Sequence, residues 1–221
     1  MRVGLCPGLE QVQGYVARTF GLQELQGYRT VEWAGGVDVL LESREELEKF
    51  LQRYGQFVYA VGGEELEEVV GRLLAQRGLK LVTAESCTGG LLSARIVNVP
   101  GSSSYFLGGF VAYDNRLKGD WLGVEEGALR SSGAVSEEVC RQMALGALHK
   151  TGADVSVAIT GISGPGGGTQ EKPVGLTYIA LADRRQVSVR RFVFSGSRNE
   201  NRFVATQWAL ELLRQYLLGR T

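Results

Sequence analysis

The sequence predicts an α/β protein: a three-layer α/β/α sandwich with a largely parallel sheet, preceded by a small α+β N-terminal domain. Three observations predict it. From about residue 64, apolar runs of strand length alternate with longer stretches of helical periodicity, the pattern of a layered α/β domain. Glycine makes up 31 of 221 residues, roughly twice the usual ~7%. Much of it clusters at Gly89-Gly90, Gly108-Gly109 and between Gly161 and Gly168, and clustered glycine signals tight turns or close approach of backbone to a ligand. Before residue 60 the segments are shorter, and Gly35-Gly36 separates two strand-like runs.

The small domain is assigned residues 1–60 and the larger one residues 61–221. In the first, Leu9, Val12, Val16 and Phe20 recur at helical spacing. Arg29 to Trp33 and Val37 to Leu41 read as strands joined through Ala34-Gly35-Gly36 in a hairpin. Ser43 followed by Glu46 has the form of a capping box and starts a helix through Tyr54; Gln56 to Ala60 is a further strand. In the second domain, Leu66, Val69, Val70, Leu73 and Leu74 mark an amphipathic helix that Gly78 ends. Strands follow at Lys80 to Thr83, Phe106 to Ala112, Asp154 to Thr160, Val174 to Ala182 and Val187 to Phe194. Helices are expected over Gly89 to Val97, Ser136 to Lys150 and Ser197 to Leu218. The acidic pair Glu137-Glu138 suits the first turn of its helix, where the dipole favours negative charge.

Composition excludes several classes of function. Lys and Arg total 24, as do Asp and Glu, so the formal net charge is zero and no basic field draws in nucleic acid. Cys6, Cys87 and Cys140 are far apart, form no CxxC pair and fit reduced thiols in a cytoplasmic protein. With His149 as the single histidine, no zinc site is expected. The sequence shows neither a signal peptide nor a membrane span.

In layered α/β folds, ligands sit beyond the carboxyl ends of strands. Two segments have that placement: Ala84 to Gly90 and Thr160 to Gly168. Ser86 is open to two roles. It follows a strand and precedes a helix opening at Gly89-Gly90, so it is either a nucleophile beside free helix N–H groups or, with Thr88, a cap. His149 is expected near a helix C-terminus rather than as the partner base, which disfavours a Ser-His-Asp triad. A lysine serves as base where burial lowers its pKa. Lys118 stands five residues after Tyr113, a little over one helical turn, so both tips can reach one pocket; a surface lysine is the alternative. The glycine run after Thr160 is neither a P-loop nor GxGxxG. Gly101-Ser102-Ser103 is open to phosphate contact or a plain turn, and Arg198 to an anion clamp or a solvated position.

The order and wording of these segments carry more than each alone. TAESCTGG, VPGSSSYFLGGFVAYDNRLK, GAVSEEV, TGADVSVAITGISGPGGG, EKPVGLTYIAL and FSGSR stand in sequence between about residues 64 and 218. Together they resemble the CinA C-terminal domain, the nicotinamide-nucleotide amidohydrolase family. The resemblance implies metal-free and cofactor-free hydrolysis of nicotinamide mononucleotide to nicotinic acid mononucleotide and ammonia, a step of pyridine nucleotide salvage in NAD metabolism. It implies Ser86 as nucleophile and Tyr113 with Lys118 as the proton-transfer pair. Thr88, Gly89, Gly90, Ser102, Ser103, Thr160, Gly161 and Arg198 become candidate substrate contacts. It also implies a homodimer or higher homo-oligomer, with a small-molecule nucleotide as partner and neither nucleic acid nor membrane.

Some positions depart from the family pattern. Cys140 stands where a small residue is usual, Ser163 where alanine is common, and Asp114 where serine is usual; a carboxylate there is expected to raise the Lys118 pKa. Residues 29–60 resemble the tail of the linker domain of full-length members, and residues 1–28 carry no recognisable motif. The expectation is a shortened relative that keeps the linker and lacks the first domain. The competing reading is a non-catalytic pyridine-nucleotide-binding or sensor module, separated from the enzyme by whether ammonia is released.

Overall fold

The computed structural model describes residues 14–22, 25, 27–33 and 35–220. The chain divides into two compact units, Met1–Val69 and Val70–Thr221.

The first unit holds β1 (Tyr15–Thr19), β2 (Arg29–Trp33), β3 (Gly36–Leu41), α1 (Arg44–Tyr54) and β4 (Val58–Val61). The strands form one antiparallel sheet in the order β2-β3-β1-β4. The β2–β3 hairpin forms as expected, with Trp33 opposite Gly36. The helix expected through Val16 does not: Tyr15–Thr19 is an inner strand paired on both sides, while Leu9 and Val12 lie outside the described residues. Both sheet faces are covered there, so Ala17 and Arg18 are each buried, and the period-2 alternation that announces a half-exposed strand is missing. Ser43 caps α1, its hydroxyl accepting the Glu46 N–H at 3.2 Å, and Glu46 reaches back to the Glu42 N–H at 2.8 Å. Phe50 of α1 packs with Ala17, Val37, Val39 and Leu41 on one face of the sheet. The other face carries a buried ionic group: Arg18 donates to Asp38 at 3.3 Å and to Glu65 at 2.8 Å.

The second compact unit is entered within α2 (Leu66–Arg77) and continues with β5 (Leu81–Glu85), α3 (Leu91–Val97) and a 3-10 turn at Ser102–Ser104. Next come β6 (Phe106–Val111), α4 (Asn115–Leu122), α5 (Glu126–Ser131), α6 (Glu137–Thr151), β7 (Val155–Gly161), β8 (Leu176–Asp183), β9 (Val187–Val193) and α7 (Arg198–Leu217). The sheet order is β6-β5-β7-β8-β9. β5 runs parallel to β6 and β7, whereas β8 and β9 are antiparallel additions, so the sheet is mixed rather than largely parallel. Connection length decides this. Helices separate β5, β6 and β7, and a crossover permits parallel strands; no helix intervenes from β7 to β9, and the chain reverses at each turn.

α6 covers one face of this sheet. Val139, Cys140, Met143, Ala144 and Ala147 pack on Val82, Ala84, Ala158, Ala180 and Ala182. The alanines let the helix approach closely enough for the Ser156 hydroxyl to reach Ala144 O at 2.7 Å. α3 and α7 cover the opposite face. Arg95 donates to the Thr206 hydroxyl at 2.8 Å, and Trp208 packs on Phe192 with ring centroids 4.7 Å apart. The result is the expected α/β/α sandwich. No helix among the described residues is long and apolar enough to cross a membrane.

Candidate active site

β5 is an interior strand, and its carboxyl end delivers Glu85 and Ser86 to the crevice. Ser86 is 7% exposed and its N–H is held by Ile159 O of β7 at 3.0 Å. It lines a cavity of about 250 Å³ together with Cys87, Tyr113, Asn115, Lys118, Ala134, Val135, Arg198 and the loop from Thr160 to Gly167.

Lys118 reaches this cavity from α4. Asp114 starts that helix, its carboxylate accepting the Arg116 N–H at 2.8 Å. The lysine is 1% exposed, and Nζ donates to Ala112 O at 2.8 Å and Tyr113 O at 3.0 Å. Burial holds its pKa below the ordinary lysine value, while Asp114 and Cys87 oppose that shift. The expected upward pull of Asp114 is therefore present and outweighed.

Tyr113 is 62% exposed, and its hydroxyl accepts from Arg198 at 3.4 Å. Arg198 also donates to Gly164 O at 2.8 Å, which ties α7 to the glycine-rich loop. Thr160 is fully buried and its hydroxyl donates to Ala134 O at 2.8 Å. Gly161 is required by packing: a Cβ there would lie 2.8 Å from Leu176 O.

The remaining candidates fall elsewhere. Gly89 and Gly90 take left-handed conformations (φ +61° and +91°) that turn the chain into α3, and they do not line the cavity. Neither Ser86 nor Thr88 caps α3. Gly90 occupies the cap position, and Glu85, fully buried, accepts the Leu92 N–H at 3.0 Å and the Ser93 N–H at 2.8 Å. Gly89 N–H is spent on Ser86 O at 3.0 Å. These three donors are thus closed to an oxyanion. Thr88 is fully buried, and its carbonyl accepts from Arg202 at 2.8 Å. Ser102 and Ser103 sit in the turn before β6, beside Lys80, whose amine reaches Ser104 O at 2.5 Å. That is the amino end of β5, five strand steps or about 17 Å from Ser86, so they do not join the cavity of this chain.

Four lining residues carried no signal of their own in the sequence. Cys87, Ala134 and Ser163 reach the cavity from three different loops, and Asn115 from the first turn of α4. Burial pushes the Cys87 thiol up to about 11, so it is protonated near neutral pH and a poor nucleophile. His149 is exposed in the last turn of α6, away from this cavity.

The family model described as the CinA C-terminal domain matches residues 63–217. The chain belongs to this family. A CinA-like protein of Thermotoga maritima is 49% identical over 176 residues, covering 80% of this chain and 43% of that protein. A CinA-like protein of Chlorobaculum tepidum is 47% identical over 178 residues, with 78% and 42% covered. The chain thus spans less than half the length of these CinA-like relatives. Among solved structures, the competence/damage inducible protein CihA of Agrobacterium tumefaciens superposes with a TM-score of 0.66 at 40% identity, over 70% of this chain and 97% of that one. A CinA superfamily protein of Klebsiella pneumoniae gives 0.67 at 33% identity, over 71% and 99%. The CinA match spans the α/β/α unit and every residue that lines the cavity.

Proposed function

We propose that this CinA domain hydrolyses the carboxamide of nicotinamide mononucleotide to nicotinic acid mononucleotide and ammonia, a step of pyridine nucleotide salvage. Ser86 is the nucleophile and Lys118 the base. The observation that carries the reading is the placement of the Lys118 amine in a cavity shared with Ser86, with burial favouring its neutral form. A neutral amine has two N–H donors. Both are occupied by Ala112 O and Tyr113 O, which leaves the lone pair as the remaining function.

In this scheme Lys118 takes the Ser86 proton as Oγ attacks the carboxamide carbon. The resulting ammonium returns that proton to the departing nitrogen, giving ammonia and a Ser86 ester. Water then attacks the ester with Lys118 again as base, and Ser86 is regenerated. Tyr113 assists proton transfer at the cavity mouth, and Arg198 beside it offers remaining guanidinium donors to the substrate phosphate.

The test is an ammonia-release assay on nicotinamide mononucleotide, nicotinamide and NAD side by side. Release is expected from the mononucleotide and lost in Ser86→Ala. No release from any of the three substrates would sink the hydrolase reading in favour of a binding module.

A further inference from the structure

The second unit carries another cleft, at the opposite pole of its sheet from Ser86. Its volume is about 720 Å³. One wall is a stripe of α6 at Arg141, Leu145 and Leu148; the other is the β8–β9 turn from Asp183 to Val187. Ala153 stands just before β7 and lines this cleft, whereas Thr160 near the end of β7 lines the catalytic cavity. Seven extended residues, roughly 20 Å, separate the two. The cavities have no lining residue in common.

Two features of this cleft answer no need of the fold. The first is its arginines. Asp183 N–H donates to Gln186 O at 2.9 Å, which leaves Arg184 and Arg185 as a two-residue hairpin tip. Glycine, asparagine and aspartate suit such tips, and arginine adds no turn chemistry. The turn is instead shaped by the Asp183 carboxylate, which accepts the Arg185 N–H at 2.7 Å, the Gln186 N–H at 2.8 Å and the Tyr216 hydroxyl at 2.8 Å. Three donors already occupy it. Arg185 forms no ion pair among the described residues. Arg184 and Arg141 each lend one nitrogen to a carboxylate outside the cleft, Asp154 at 3.2 Å and Glu137 at 3.4 Å. Exposed pairs of this kind contribute little, and a phosphate competes with them for the guanidinium forks. The second feature is apolar: Leu145 and Val187, at the margin of the core, are left partly open where they meet the cleft.

We propose that this cleft binds a nucleoside polyphosphate, with its phosphates on Arg141, Arg184 and Arg185 and its nucleoside against Leu145, Leu148 and Val187. An apolar wall with a few convergent polar groups, in a volume of several hundred Å³, is the make-up of a small-molecule site. Three guanidiniums spread over two elements suit a chain of phosphates better than a single one. α6 ends at Gly152 on the nucleoside side. The last carbonyls of a helix lack intrahelical partners and accept from a base amine or a ribose hydroxyl. Because the cleft is separate from the catalytic cavity, the proposal does not rest on the hydrolase reading.

Isothermal titration calorimetry on the full chain tests it, with ATP, adenosine and inorganic tripolyphosphate as probes in the absence of divalent cations. ATP is expected to bind at micromolar concentration, and adenosine and tripolyphosphate each about 10-fold more weakly or worse. R184A/R185A is expected to weaken ATP binding about 100-fold. Arg198→Ala, in the catalytic cavity, is expected to bind ATP as wild type does. Far-UV circular dichroism confirms that both variants are folded. Four results overturn the assignment: no binding at millimolar ATP, tripolyphosphate bound as tightly as ATP, undiminished binding by R184A/R185A, or loss of binding in Arg198→Ala.

Discussion

The Glu85 carboxylate holds Ser93 twice through one oxygen, accepting its backbone N–H at 2.8 Å and its hydroxyl at 2.6 Å. The second oxygen takes the Leu92 N–H at 3.0 Å. A strand residue thereby caps the helix that follows it and fixes the turn between them, in which Ser86 lies. The positive end of α3 meets this internal carboxylate, and that arrangement makes the turn rigid.

Glu85→Ala is expected to leave two N–H groups at the start of α3 without partners. The cost should be about 3 kcal/mol, two buried donors unsatisfied. Urea denaturation followed by circular dichroism measures it. Turnover should fall as well, because Ser86 loses its anchored neighbour.

Ser86→Ala and Lys118→Met should each lower ammonia release from nicotinamide mononucleotide by about 10³-fold or more, and the double variant should be little worse than either. Residues that act as a unit are non-additive in this way. Losses that multiply would show that the two groups work independently and would remove Lys118 as the partner of Ser86.

The depressed pKa of Lys118 ties both activity and stability to pH, in the same direction. In the proposed scheme the neutral amine is the active form, so the rate should rise with pH through a value below the ordinary lysine value of about 10.4. Between the folded and the ordinary value, the unfolded chain binds more protons than the folded one. Stability attributable to this group therefore rises with pH across that window. Lys118→Met should abolish this slope. It should leave stability at neutral pH unchanged within about 1 kcal/mol, since the desolvation cost of the buried amine is removed along with its hydrogen bonds to Ala112 O and Tyr113 O. Urea midpoints at several pH values provide the measurement.

Arg18→Met in the first unit should cost about 3 kcal/mol or more, because it strands the buried Asp38 carboxylate. Burial already pushes the Asp38 pKa up, against the pull of Arg18. Without the arginine the shift grows, and the stability deficit should shrink as pH falls and Asp38 takes up a proton. Adding Asp38→Leu should restore most of the loss at neutral pH. A deficit independent of pH would mean that Arg18 acts through packing alone.

Much of the second unit was legible because its signals are local. Gly78 after an amphipathic stretch ends α2, and acidic residues after Ser136 open α6. Apolar runs of strand length appear as β5, β7, β8 and β9 within a few residues of their expected limits. β1 was not legible, since Ala17 and Arg18 face opposite sides and both are buried; the hydrophobic alternation is interrupted by an arginine whose partners are far along the chain. The antiparallel half of the sheet was missed because strand direction depends on what connects the strands, and the signal was the lack of a helix between Gly161 and Leu176.

The sequence by itself determined the family and the layered α/β class, and it marked Ser86, Thr88, Gly89, Gly90, Ser102, Ser103, Tyr113, Lys118, Thr160, Gly161 and Arg198 as candidates, because these rest on residue identity and short-range spacing. Only the tertiary structure decided which of the marked residues share a cavity. It separated Ser102 and Ser103 from Ser86 by the length of β5, closed the α3 N–H groups of Leu92 and Ser93 with Glu85, and buried Lys118. Burial and long-range contact decide these matters, and both belong to the folded arrangement of segments distant in the chain, where no local pattern records them.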